Sequence, residues 1–396
     1  MHTIWIFGFA IYLICAVFIY PHQAQAAPFS CTAGFYQIQA NQLRVLNPSD
    51  GTYTTIGSPY GYSLNAIGYN KLDNYIYGII NLPTEAHLFR VDNSGIYTDF
   101  GAVTGLPAPD TFGYNSGDFD DSGNLYVKQL DQTLYKIDVT TNIATAIPLS
   151  SGFFVSDLVY INGYLYGVGV GPSSGSLYRI DISNGNVTSL PISLPTSGYG
   201  SGWATDADTL YFFDNSSGII YKVTNFTTSP IVIPVLSSTP SSVNDGASCF
   251  TAPSPIPDLV ATNKSASAQQ GQQLIVPATS GVMVGNTGQD ITLTSYTQPT
   301  HGTVVVNPDG SYTYIPNNEF FANDNFTYTI SDSLGNSTSA TVTITIAQYT
   351  TVSPTAGTLA STGSNTNTPI IFSVILFSSG LATLYGLYLL KNSQYQ

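Results

Sequence analysis

Five stretches of this chain repeat one another, and their spacing limits the folds open to it. LRVLNPSDG, LFRVDNSG, LYKIDVTTN, LYRIDISNG and IYKVTNF begin at Leu43, Leu88, Leu134, Leu177 and Ile220, at intervals of 45, 46, 43 and 43 residues. Each follows an apolar-aromatic stretch (GFYQIQ, NYIYGII, NLYVKQL, GYLYGVGV, TLYFFD) and precedes another (YTTIG, YTDFG, IATAIPL, NVTSLPI, PIVIPVL). Ahead of four of these sets stands a further strand candidate: NAIGYN, SGDFDD, SDLVYI or GSGWATD. Short β-rich runs bounded by Gly, Asn and Asp read as strands, and four of them per repeat read as one sheet of a radial array. The expectation is a five-bladed β-propeller over residues 31–250.

The first set lacks an inner strand, while VNDGASC, Val243 to Cys249, has one and lacks the other three. Joining them completes a fifth sheet and closes the ring, which removes the open edges of a linear array. The same register brings Cys249 to the strand that follows Cys31, so a disulfide is expected in an oxidising compartment; two buried free thiols are the alternative. Tyr77, Tyr126, Tyr135, Tyr166, Tyr178, Tyr211 and Tyr221 recur at equivalent strand positions and are read as packing between blades.

Composition supports an extracellular all-β chain. Charged residues are 8% of the whole against 13% aromatics, and the formal net charge of −14 disfavours nucleic acid as a partner. At the start, Ile4 to Tyr20 is apolar and Ala24-Gln25-Ala26 supplies a small-x-small cleavage pattern, so residues 1–26 are expected to be a signal peptide, with an uncleaved anchor as the alternative. Near the other end, residues 370–390 carry no charged side chain and are long enough to cross a membrane as a helix.

Just ahead of that segment, Leu359, Ala360, Ser361, Thr362 and Gly363 resemble the Leu-Pro-x-Thr-Gly sorting signal of bacterial surface proteins, with Ala360 in place of the proline. The resemblance implies that a sortase-like transpeptidase cuts after Thr362 and joins the chain to the cell wall; a retained membrane helix is the alternative. The NDGASC ending and LYRID-type strands resemble an uncharacterised extracellular propeller-like domain of bacterial surface proteins, which implies architecture and no activity. After a Pro-rich linker at 251–257, His301 to Thr303, Asp309 to Pro316 and Phe326 to Asp332 resemble the bacterial cadherin-like or Ig-like tandem domains, implying a β-sandwich over 258–347 with spacing and adhesion as its roles. A Ser/Thr-rich stalk is expected over 348–369.

In a propeller the loops entering the inner strands gather on one face. Here they supply Tyr60, Tyr62, Phe112, Tyr114, Phe153, Phe154, Tyr199 and Trp203 among small polar residues, a composition suited to a sugar ring, or else to filling the spaces between blades. Asp118, Asp157 and Asp245 begin inner strands of separate blades and can converge on the axis. Glycoside hydrolysis needs two carboxyls of unlike pKa, and the alternative role is capping of strand ends. No cofactor is indicated, and His2, His22, His87 and His301 lack metal-ligand spacing. The Ig-like region offers calcium only Asp290 near its start. The expected function is non-catalytic contact with a glycan or with a host or neighbouring cell surface; a purely structural envelope role and a glycan-processing enzyme are the alternatives.

Overall fold

A computed structural model of the protein describes residues 27–129, 132–206 and 208–350. The expected signal peptide, the Leu359 to Gly363 motif, most of the stalk and the apolar segment 370–390 lie outside the described residues. Among the described residues no helix is long and apolar enough to cross a membrane. Their regular structure is β, with two short 3₁₀ turns.

Every repeat motif becomes the third strand of a four-stranded antiparallel sheet, and the burial pattern explains why. In a strand, residues three apart point to opposite faces. Leu43 and Leu46, Leu88 and Val91, Leu134 and Ile137, Leu177 and Ile180, and Ile220 and Val223 are nevertheless all buried. Each third strand must therefore have apolar neighbours on both sides. Leu43 packs with Ile67 and Ile76 of the next sheet, while Leu46 packs with Trp203 and Phe213 of the sheet before it. The Asp that closes several motifs makes the turn: Asp92, Asp138 and Asp181 accept the backbone N–H two residues on, at 3.0, 2.9 and 2.9 Å.

The second sheet runs Leu64–Asn70, Tyr75–Asn81, Ala86–Val91 and Tyr97–Ala102. The third runs Ser116–Phe119, Asn124–Lys128, Thr133–Asp138 and Ile143–Pro148. The fourth is Val159–Ile161, Tyr164–Val168, Ser176–Asp181 and Val187–Ser193; the fifth is Tyr199–Thr205, Thr209–Asp214, Ile219–Thr224 and Ile231–Ser237. The first sheet is composite: Asn244–Ser248 pairs antiparallel with Phe35–Gln39, which continues to Gln42–Leu46 and Tyr53–Thr55. The innermost strand of each sheet lies beside that of the next, and Asn244–Ser248 adjoins both Tyr199–Thr205 and Leu64–Asn70. The result is a closed, propeller-like ring. A disulfide joins Cys31 to Cys249 at the seam, with Cα atoms 5.4 Å apart and a sequence separation of 218.

Residues beyond the ring form a two-sheet sandwich. Lys264–Gln269, Ser337–Ala347, Asn323–Ser331 and Thr292–Tyr296 make one sheet, with Lys264–Gln269 parallel to Ser337–Ala347; Leu274–Val276, Tyr312–Pro316 and Gly302–Val306 make the other. Alternating residues such as Val304, Tyr314, Phe326, Tyr328, Val342 and Ile344 fill the space between. The Pro-rich linker is docked rather than free. Ile256 is buried in the cluster around Trp203, Lys222 Nζ meets Asp258 at 2.5 Å, and Asn336 Nδ2 donates to the Pro234 carbonyl at 2.8 Å.

Candidate functional site

The axis of the ring is where five inner strands meet, so it is the natural place to seek chemistry. Asp118, Asp157 and Asp245 do converge there, each beside the start of an inner strand. One oxygen of each accepts the N–H of its own next residue: Phe119 at 2.8 Å, Leu158 at 2.7 Å and Gly246 at 3.1 Å. Asn65 does the same for Ala66 at 3.0 Å. The second oxygen reaches another sheet. Asp118 accepts from Tyr160 N at 2.8 Å, Asp157 from Gly202 N at 2.5 Å and Gly246 N at 3.2 Å, and Asp245 from Ile67 N at 2.5 Å. Ile67 N can turn inward because the strand bulges there, with Ala66 at φ +51.

These contacts make the carboxylates clamps between strands. Asp157 and Asp245 are 2% and 0% exposed and are hydrogen-bonded to each other. Burial holds both carboxyls well above the ordinary range, and the repulsion of Asp157 adds to the effect at Asp245. Two desolvated carboxyls in such contact retain a proton between them. Asp118 shows some residue surface, yet its carboxyl is enclosed by protein, and burial pushes it up to about 7 against the opposing pull of its two N–H donors. Neighbouring backbone comes close around these carboxylates. A Cβ on Gly246 would lie 2.5 Å from the Gly202 carbonyl oxygen, and one on Gly117 would lie 2.7 Å from that of Tyr126. Among the described residues no group of three His, Cys, Asp or Glu side chains is arranged to hold a metal ion.

The aromatic residues expected on a shared ligand face divide into two sets. Tyr60, Tyr114, Tyr199 and Trp203 are buried. Their polar tips bond to backbone carbonyls, Tyr60 Oη to Gly95 at 3.2 Å, Tyr114 Oη to Pro107 at 3.0 Å, Tyr199 Oη to Pro195 at 2.7 Å and Trp203 Nε1 to Tyr36 at 2.8 Å. Trp203 also lies flat on Phe35, with centroids 4.9 Å apart. Phe153 stacks on Tyr178 in the core. Only Tyr62, Phe112 and Phe154 of the set are exposed. Of the two readings of these residues, filling the spaces between sheets holds for the buried ones: a large ring gains more by entering the space between two sheets than by standing in water, provided its hydroxyl or indole N–H finds an acceptor.

Two clefts lie away from the axis. One of about 410 Å³ is lined by Tyr164, Arg179, Asp208, Asn225 and Thr227. The other, of about 620 Å³, lies along Arg44, Tyr53 and the loop from Thr239 to Val243. Neither was anticipated from the sequence. The available signal for the second was LRVLN itself, which has no aromatic residue after its first leucine.

Two family models between them match residues 33–251 and 252–345. Residues 252–345 match the bacterial Ig domain, which together with the disulfide is the mark of an extracellular or cell-surface protein. No curated protein matches the chain. Among solved structures, it is similar to virginiamycin B lyase from Staphylococcus aureus, at 15% identity and a TM-score of 0.36, covering 74% of this chain and 95% of that one. It is also similar to TolB from Acinetobacter baumannii, at 12% identity and a TM-score of 0.37, covering 80% and 68%. Residues 33–251 match the Repeat of unknown function (DUF6923), and since that match takes in more than half of the sequence, the chain belongs to this family.

Proposed function

We propose that the protein is a non-catalytic display protein of the bacterial surface, with a five-bladed propeller as its contact-making head and the Ig-like domain as its spacer. The C-terminus is held by the Leu359 to Gly363 signal and the apolar segment 370–390, so a sortase-like enzyme, the cell wall and the membrane are its proposed partners at that end. At the head the proposed partner is a glycan or the surface of a host or neighbouring cell. One observation carries the reading: the three axial carboxylates are spent on backbone N–H groups of the inner strands. Acids so employed hold the ring together and leave the outer surface to do the binding. The same observation disfavours the glycan-processing alternative, which needs a carboxyl free to give a proton to a substrate.

The test is mass spectrometry of the C-terminal peptide from native cell envelopes, paired with a reducing-sugar assay of the full chain. A C-terminus at Thr362 bearing a wall fragment supports covalent display, and an intact Gln396 in the membrane fraction supports a helix anchor. Recovery of the chain free in the medium would overturn display. Sugar release that disappears in Asp157→Asn would overturn the non-catalytic reading.

A further inference from the structure

Four of the five sheets place an aromatic ring at one position of the third strand. Phe89, Tyr135, Tyr178 and Tyr221 each follow the buried first residue of the repeat and pack toward the preceding sheet. In the first sheet that position is Arg44, one residue after Leu43. The ring that would fill the gap toward the fifth sheet is missing, and the 620 Å³ cleft opens there, lined by Gln39, Arg44, Thr52, Tyr53, Ser241 and Ser242.

Polar atoms beside this cleft are short of partners. Among the described residues six buried side-chain nitrogen or oxygen atoms have no hydrogen-bond partner, and three of them, Gln37 Oε1, Arg44 Nε and Tyr53 Oη, lie on adjacent strands of this one sheet. Gln37 stands directly opposite Arg44. Tyr53 pairs with Leu46, two residues further along the same face as Arg44. The Ser238 hydroxyl is within reach of Tyr53 Oη, but its proton goes to the Gly51 carbonyl, so it offers Tyr53 an acceptor and no donor. The chain's other two arginines rest on rings, Arg90 over Tyr75 and Arg179 over Tyr164. Among the described residues no carboxylate lies within ion-pair distance of Arg44, in a chain whose formal charge is −14.

A guanidinium edge with an unused Nε matches the two oxygens of a carboxylate, and a phenol hydroxyl nearby supplies a further donor. Thr52, Ser241, Ser242 and the Gln39 amide offer the mixed donors and acceptors that sugar hydroxyls require. A neutral sugar would leave the buried charge uncompensated. We propose that the cleft between the fifth and first sheets binds an acidic saccharide, a uronic acid or one like it, with Arg44 and Tyr53 holding its carboxylate. The assignment names a ligand class for the head proposed above and rests on that reading.

The full chain is titrated calorimetrically with sodium glucuronate, glucose and sodium acetate. Glucuronate is expected to saturate one site that glucose does not occupy, with acetate binding more weakly. Arg44→Gln is expected to weaken glucuronate about tenfold and Tyr53→Phe about threefold, the scale of one charged and one neutral hydrogen bond. Tyr53→Phe removes a single oxygen and keeps the test open if Arg44→Gln does not fold. Equal binding of glucose and glucuronate, no binding of either, or unchanged affinity in a folded variant would overturn the proposal. Acetate binding as tightly as glucuronate would overturn its saccharide part. Surface display without glucuronate binding would sink this site alone, whereas glucuronate binding by a chain found free in the medium would sink the display reading alone.

Discussion

Replacing Asp118 by Asn should flatten the fall in the ring's stability with rising pH. In the folded chain burial lifts the Asp118 carboxyl from 3.8 to about 7. In the unfolded chain it titrates near its ordinary value. Below about pH 4 both states hold the proton, so the group contributes no pH dependence there. Between about pH 4 and 7 the unfolded chain gives up its proton first, and stability falls as pH rises. The gap of roughly three pH units, at about 1.36 kcal/mol each, amounts to a loss of about 4 kcal/mol that levels off above pH 7. Asp157 and Asp245 are raised in the same direction and steepen the same slope. An Asn at position 118 cannot titrate, but its amide can accept only one of the bonds from Phe119 N and Tyr160 N, costing about 1–2 kcal/mol at every pH. The variant should thus be less stable than the parent near pH 4 and more stable by about 2–3 kcal/mol above pH 7. Urea unfolding read by tryptophan fluorescence reports on the ring through Trp203, which is buried in it. Parallel stability curves for parent and variant between pH 4.5 and 8 (about the span of the titration) would refute the reasoning.

Reducing the Cys31–Cys249 bond, whose cysteines have a sequence separation of 218, should cost about 5 kcal/mol on the chain-entropy view, seen as a lower urea midpoint in reductant and in Cys31→Ser. An unchanged midpoint would mean that strand pairing at the seam suffices. Trp203→Ala should destabilise the ring by about 3–5 kcal/mol, as expected for a fully buried ring, while Phe112→Ala at 68% exposure should stay within about 0.5 kcal/mol of the parent in thermal melts. Equal effects would contradict the division of the aromatic residues into core and surface.

Much of this architecture was legible because it rests on local rules. The repeat at intervals of 45, 46, 43 and 43 residues, with an apolar-aromatic run on either side of each motif, carries both the strands and the number of sheets. The seam was legible from an orphan inner strand and two cysteines. Side-chain destination was harder to read. Tyr60 and Tyr62 are two residues apart in one loop, yet one hydroxyl reaches Gly95 and is buried while the other ring stands 47% exposed. That choice depends on a carbonyl contributed by a distant segment. The convergence of Asp118, Asp157 and Asp245 was visible in the repeat, whereas their hydrogen bonds depend on a bulge at Ala66 and on close approach at Gly202 and Gly246. Arg44 escaped notice because alignment by the apolar residues hides the substitution of one residue between them.

The composite first sheet also sets a timetable. During synthesis its three N-terminal strands, Phe35–Gln39, Gln42–Leu46 and Tyr53–Thr55, are made first, and their partner Asn244–Ser248 is the last strand of the ring to be made. At about 5–20 residues per second the wait is on the order of 10–40 s. Throughout that interval the edge of Phe35–Gln39 has no mate, and the amides of Ile67 and Gly202 have at most part of their final company. A nascent chain stalled before residue 244 would present that edge to other chains, so pauses in translation within the last repeat should promote aggregation far more than pauses after it.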